Sequence, residues 1–176
     1  RTMALSVLSE MSDFKDSVTS LAVARDDKAD WGLLAASVDG SVRAYDIRRG
    51  LVTADDFGVP VTSVALSGDG GCVAAACLDS TVRLLELATG TQLNVYKGHT
   101  HTTYSLETCF SRDDALVASA SEDGRVVMWR LVEADVDAQL VGIHKRATSS
   151  LSWHPKNAAV VVASFDSTIS LWERRP

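Results

Sequence analysis

His99, His101, Ser119, Asp123 and Trp129 fall within one stretch of the chain. A histidine, a serine and an aspartate are the parts of a proton-relay nucleophile. His99-x-His101 could in principle grip a metal ion. Both readings meet obstacles. A nucleophilic serine needs exposure and donors for an oxyanion, and no Gly-x-Ser-x-Gly turn supplies them here. The two histidines have no carboxylate or thiolate at ligand spacing. A buried structural network uses all these residue types. A buried aspartate needs hydrogen-bond donors of these kinds around it. The expectation is therefore a structural network with no catalytic residues, no cofactor and no metal.

The elements that would position these residues repeat along the chain. One phrase reads Ser37-Val-Asp39-Gly-Ser-Val-Arg-Ala-Tyr45-Asp, then Cys77-Leu-Asp79-Ser-Thr-Val-Arg-Leu-Leu85-Glu. It returns as Ser121-Glu-Asp123-Gly-Arg-Val-Val-Met-Trp129-Arg and Ser164-Phe-Asp166-Ser-Thr-Ile-Ser-Leu-Trp172-Glu. The aspartates are 40, 44 and 43 residues apart. An apolar run precedes each, such as Val73–Ala76 or Val160–Ala163, and suits a strand buried on both faces. Further upstream lies a strand with apolar-polar spacing, as in Val61–Leu66 and Thr148–Trp153; the version at Tyr104–Phe110 fits less cleanly. Ser67–Gly71, Ser111–Asp114 and His154–Asn157 carry turn chemistry, and Arg25–Asp30 reads as a longer, charged hairpin loop. Four short strands per unit of about 40–45 residues mark the blades of an all-β propeller.

These units resemble WD repeats. The expected bounds are about 14–50, 57–96, 98–141 and 144–174, within a single segment spanning 1–176. Val38–Gly50, Leu78–Leu85, Tyr96-Lys-Gly-His99 and Ser121–Val132 also resemble the later repeats of the mitogen-activated protein kinase organizer 1 family. That resemblance implies a seven-bladed ring that scaffolds kinase cascades and is also found with the spliceosome, in the cytoplasm and the nucleus. Seven blades need roughly 300 residues, and the chain has 176. Residues 2–8 read as the outer strand of a preceding blade, and the chain stops just after Trp172. The expectation is part of a longer ring, with a closed four-blade ring as the alternative. An open fragment would expose apolar blade faces and would self-associate or need its missing blades.

The resemblance also assigns the structural tetrad. Only the third repeat carries a complete set: His99 or His101, Ser119, Asp123 and Trp129. The third blade is therefore expected to be the best ordered, and Asp123→Ala to cost about 2–4 kcal/mol, more than Asp79→Ala. The first two repeats keep Asp39 and Asp79 but have Phe14 and Phe57 in place of histidine, and Ala35 and Ala75 in place of the hydroxyl. The fourth keeps His144, Asp166 and Trp172 but has Val162.

Because side chains alternate along a strand, the residue before each aspartate projects the opposite way. Those residues are Val38, Leu78, Glu122 and Phe165. With Tyr104 and Lys145 they form the expected protein-interaction face. Composition is that of an ordinary globular chain, 46% hydrophobic and 23% charged. No apolar run approaches a membrane span. Cys72, Cys77 and Cys109 lack metal-type spacing. A net charge of −6 argues against bulk phosphate-backbone binding. The expected function is a non-enzymatic protein–protein scaffold. The alternative is a splicing subunit that touches RNA through Arg48-Arg49, Lys145-Arg146 and Arg174-Arg175.

Overall fold

A computed structural model describes residues 10–23, 32–46 and 50–173. The expected outer strand at 2–8, the loop at Arg25–Asp30 and the pairs Arg48-Arg49 and Arg174-Arg175 lie outside them. The described residues form antiparallel strands in four separate sheets. The first holds β1 (Val18–Val23), β2 (Leu33–Ser37), β3 (Ser41–Asp46) and β4 (Gly50–Asp56). The second holds β5 (Val61–Leu66), β6 (Cys72–Cys77), β7 (Thr81–Glu86) and β8 (Gln92–Tyr96). The third holds β9 (Thr108–Phe110), β10 (Leu116–Ala120), β11 (Val126–Arg130) and β12 (Val136–Leu140). The fourth holds β13 (Thr148–Trp153), β14 (Ala159–Ser164) and β15 (Ile169–Glu173). Each sheet is a meander in sequence order, so each is one propeller blade.

The blades stack through their faces. On β6, Val73, Ala75 and Cys77 face the first sheet, where Leu34, Val42 and Ala44 lie. Ala74 and Ala76 face the third sheet and meet Phe110, Val117 and Trp129. The period of two therefore buries both faces, which is why the second strands read as unbroken apolar runs. Leu106, Ala118 and Met128 then pack on Leu151, Val160 and Val162 of the fourth sheet.

The first strands stitch neighbouring blades together with hydroxyls. The β1–β2, β5–β6 and β13–β14 ladders each slip register at the equivalent place, skipping Thr19, Thr62 and Ser149. Such a bulge re-aims a side chain. Thr19 Oγ1 donates to Val61 O in the next blade at 2.7 Å. One position on, Ser20 Oγ accepts the Val64 N–H at 3.2 Å, and Ser63 Oγ accepts the Thr108 N–H at 3.2 Å. Glu107 takes over in the third blade, accepting from Ser150 Oγ and from the Leu151 N–H.

The two ends of the stack stay uncovered among the described residues. Leu21 and Val23 of β1 are exposed, and on β15 Ile169 and Leu171 are 75% and 71% exposed. Isolated exposed leucines are common, but rows of them on a sheet face mark a contact surface. The chain alone should therefore scatter light as a species larger than one copy. Ile169→Lys with Leu171→Lys should shift it towards the monomer while moving unfolding stability by less than about 0.5 kcal/mol. A doubly substituted chain that stays associated, or that unfolds, would show that these side chains are covered.

Candidate protein-interaction face

The β2–β3, β6–β7, β10–β11 and β14–β15 turns share one end of the stack with the loops that lead into the first strand of the same blade. Val38 N–H donates to Ser17 O, Leu78 N–H to Pro60 O and Phe165 N–H to Ala147 O, at 3.0 Å, each acceptor standing immediately before the first strand of its blade. Glu122 N–H donates to Thr100 O at 2.8 Å, eight residues before β9. Each of the four positions is thus pinned to the loop that enters its own blade, and the third differs in where on that loop. Their side chains differ in what they offer. Val38 and Leu78 are half-buried, whereas Phe165 is exposed. The ring of Tyr104 meets that of Phe165 edge to face, with centroids 5.2 Å apart. Lys145 is exposed as well.

Glu122 differs from the expectation of a contact residue. Its carboxylate accepts the N–H groups of Thr102, Thr103 and Tyr104 at 2.8, 2.5 and 3.1 Å, and the Thr102 hydroxyl at 3.1 Å. Burial opposes its charge, yet these bonds hold its carboxyl below the ordinary range. Glu122 is thus the clamp that shapes the loop presenting Tyr104.

The four aspartates are anchored in three different ways. In the first blade Asp39 accepts from Lys15 N–H at 2.9 Å, Ser41 N–H at 3.0 Å, Ser41 Oγ at 2.5 Å and Arg43 Nη1 at 3.1 Å. The Arg43 guanidinium lies 4.3 Å above the Phe14 ring. The second blade repeats the pattern. Asp79 accepts from Thr81 and from Arg83 Nη2 at 2.6 Å, and Arg83 lies 5.7 Å from the Phe57 ring. An arginine on a ring here replaces the imidazole, combining a charge-assisted bond with a cation–π contact.

The third blade overturns the expectation of a complete tetrad. Trp129 Nε1 donates to Lys97 O at 2.8 Å, not to a hydroxyl. Ser119 Oγ donates to Ala120 O at 3.1 Å. Asp123 is held by Arg125 Nε and Nη2 at 2.9 and 2.6 Å. His99 is 4% exposed, and neither ring nitrogen has a partner among the described residues. It packs edge-on against Trp129 at 5.4 Å. Burial, then the neighbouring His101, push its pKa down to about 4. His101 Nε2 instead lies 3.1 Å from Thr62 Oγ1 and 2.9 Å from Tyr104 O, tying the loop to the second blade. All four tetrad residue types are present, but backbone carbonyls hold Trp129 and Ser119, Arg125 holds Asp123, and His99 makes ring contacts only.

The closed relay is in the fourth blade, where Val162 had seemed to forbid it. Trp172 Nε1–H donates to Ser170 Oγ at 2.7 Å, and Ser170 Oγ lies 2.7 Å from His144 Nε2. His144 Nδ1 lies 2.9 Å from Thr168 Oγ1, whose hydroxyl donates to Asp166 Oδ1. Thr168 has one proton and gives it to the carboxylate, so its oxygen accepts from Nδ1–H. Nε2 is then the acceptor, and Ser170 donates to it. Every hydrogen in the chain points towards Asp166. The hydroxyl comes from β15 itself, four residues after the aspartate, instead of from the neighbouring strand.

The recurring unit has a counterpart among known proteins. The family model described as WD domain, G-beta repeat, matches residues 52–85, 90–130 and 140–173. The chain belongs to the WD40 repeat family. WD repeat domain-containing protein 83 of Rattus norvegicus is 39% identical over 162 residues, covering 92% of this chain and 49% of the relative. Its Xenopus tropicalis counterpart is 41% identical over 98% of this chain and 52% of its own. The Dictyostelium discoideum homolog is 34% identical over 81% of this chain and 43% of its own. The chain spans about half the length of the curated relatives it matches. The computationally designed Ika4 protein superposes with a TM-score of 0.79, covering 97% of this chain and 99% of that one at 22% identity. That likeness is one of fold. Within the WD repeats, the residues that sequence reasoning passed over are Arg43, Arg83, Thr168 and Ser170. The signal for Arg43, Arg83 and Ser170 was present, because the residue four after Asp39 and Asp79 is Arg where the loop offers Phe, and the residue four after Asp166 is Ser where it offers His144; the third blade has Val127 there.

Proposed function

We propose that these WD repeats act as a non-enzymatic protein-binding scaffold, working from the end of the stack that carries the four aspartate turns. The observation behind this reading is the Tyr104–Phe165 pair: two large rings from different blades, touching, and 49% and 46% exposed. Aromatic residues held out by a rigid frame are the usual anchors of protein interfaces. The resemblance to the mitogen-activated protein kinase organizer 1 family supplies the partner classes, components of a kinase cascade and splicing proteins, and a setting in cytoplasm and nucleus.

Tyr104→Ala with Phe165→Ser should leave the fold intact and weaken capture of kinase-cascade proteins about tenfold, or about 1.4 kcal/mol. Unchanged capture by a folded double variant would move the contact elsewhere. The RNA reading has one described basic pair to rest on, Lys145-Arg146. A labelled oligouridine titrated between about 50 and 200 mM salt separates the two, since phosphate contacts weaken steeply over that range.

A further inference from the structure

The two exposed rings stand beside uncompensated positive charge. Ser164 Oγ lies 3.2 Å from Arg146 O and 3.0 Å from Ala147 O, the carbonyls that it can donate to. The Lys145 N–H donates to Asp166 Oδ2 at 2.8 Å. Lys145-Arg146 is therefore bonded through its backbone to the turn that carries Phe165. Both side chains are exposed. Neither makes an ion pair or hydrogen bond with a described residue.

The anions on this face are in the opposite condition. Asp39, Asp79 and Asp123 are each paired with an arginine of their own blade. Glu122 is occupied by three amides and a hydroxyl. Asp166 is occupied by the Lys145 amide and by both the amide and the hydroxyl of Thr168. In a chain of net charge −6, this rim thus keeps two cations without a described partner on the loop bonded to the turn that carries Phe165. A ligand that satisfies both must bring an apolar side chain to the rings and carboxylates to the ammonium and guanidinium groups.

We propose that Tyr104, Phe165, Lys145 and Arg146 bind an extended peptide segment in which an apolar or aromatic side chain is flanked by acidic residues. This rests on the reading of the face as a protein-binding surface and adds the chemistry of what it holds. The rings supply the anchor, the cations set the preference for acidic flanks, and the Glu122 clamp keeps Tyr104 in place without competing for them.

Fluorescence anisotropy with three labelled peptides of about ten residues tests it. One carries a Leu-Trp core with Asp and Glu flanks, the second has the same core with Lys flanks, and the third has the acidic flanks around Ser-Ser. The first should bind at least tenfold more tightly than either of the others. Phe165→Ser should weaken it about tenfold. Lys145→Glu with Arg146→Glu should invert the order of the acidic and basic peptides, a change that misfolding would not produce. Equal affinity for acidic and basic flanks, an acidic preference that survives charge reversal, or tighter binding of an oligouridine than of the acidic peptide would overturn the proposal. If the peptide preference fails while the Tyr104/Phe165 variant still loses protein capture, the partner chemistry is wrong and the scaffold reading stands. Loss of neither capture nor peptide binding in that variant removes both.

Discussion

Asp39→Ala should destabilise the chain by about 3 kcal/mol, and Asp123→Ala by about 1 kcal/mol. The ranking follows from what each carboxylate leaves behind. The Asp39 side chain is 7% exposed and its arginine partner 11%. Removing it strands the Arg43 guanidinium in a poorly solvated site, together with the amides of Lys15 and Ser41. Breaking a buried pair from one side costs several kcal/mol for that reason. The Asp123 and Arg125 side chains are 32% and 34% exposed, so water replaces the lost bonds. Urea unfolding of the two variants at pH 7 makes the comparison, and equal midpoints would refute it. Acid gives a second readout. Burial opposes the charge on Asp39, yet the bonds from Lys15, Ser41 and Arg43 together hold its carboxyl well below the usual carboxylate range. A depressed folded pKa means the contribution is whole above the unfolded value near 4. It is then lost as pH falls further. The wild-type chain should lose stability below about pH 4 more steeply than Asp39→Ala does.

His99 should make the protein sensitive to acid at a higher pH. Its ring is 4% exposed with both nitrogens unpartnered. Burial first, and His101 second, hold its pKa at about 4. The unfolded chain takes up the proton near pH 6.5 and the folded chain does not until pH 4. Stability from this group is therefore complete above pH 6.5 and declines as pH falls, by about 3 kcal/mol at pH 4. His99→Phe keeps a ring against Trp129 and removes the titrating nitrogens. The variant should match or exceed the wild-type midpoint in urea at pH 7.5. The difference in its favour should widen by about 2–3 kcal/mol at pH 4.5. A constant difference between the two pH values would mean that the ring finds a hydrogen-bond partner or water.

Much of the face was legible before any coordinates. The turn aspartates announced themselves by spacing, and Val38, Leu78 and Phe165 before them make the same backbone bond to the residue that precedes the first strand of their blade. Leu78 and Val38 were readable as turn residues, and the structure leaves both half-buried. Glu122 looked like a contact residue because it precedes a turn aspartate and so projects the opposite way along the strand. Its three amide partners belong to a loop about 20 residues earlier, which no local pattern links to it.

The number of blades, their strands and the apolar runs at their centres were set by the sequence itself. Periodicity and turn chemistry are local properties, and they survive averaging over four imperfect copies. Tertiary structure alone decided which aspartate network closes. A relay of hydrogen bonds depends on tenths of an ångström and on which strand donates the hydroxyl. Residue type selected the third blade, with its full set of letters. Geometry selected the fourth, because Ser170 reaches both Trp172 and His144 from β15, while Ser119 turns to a backbone carbonyl and leaves His99 unpaired.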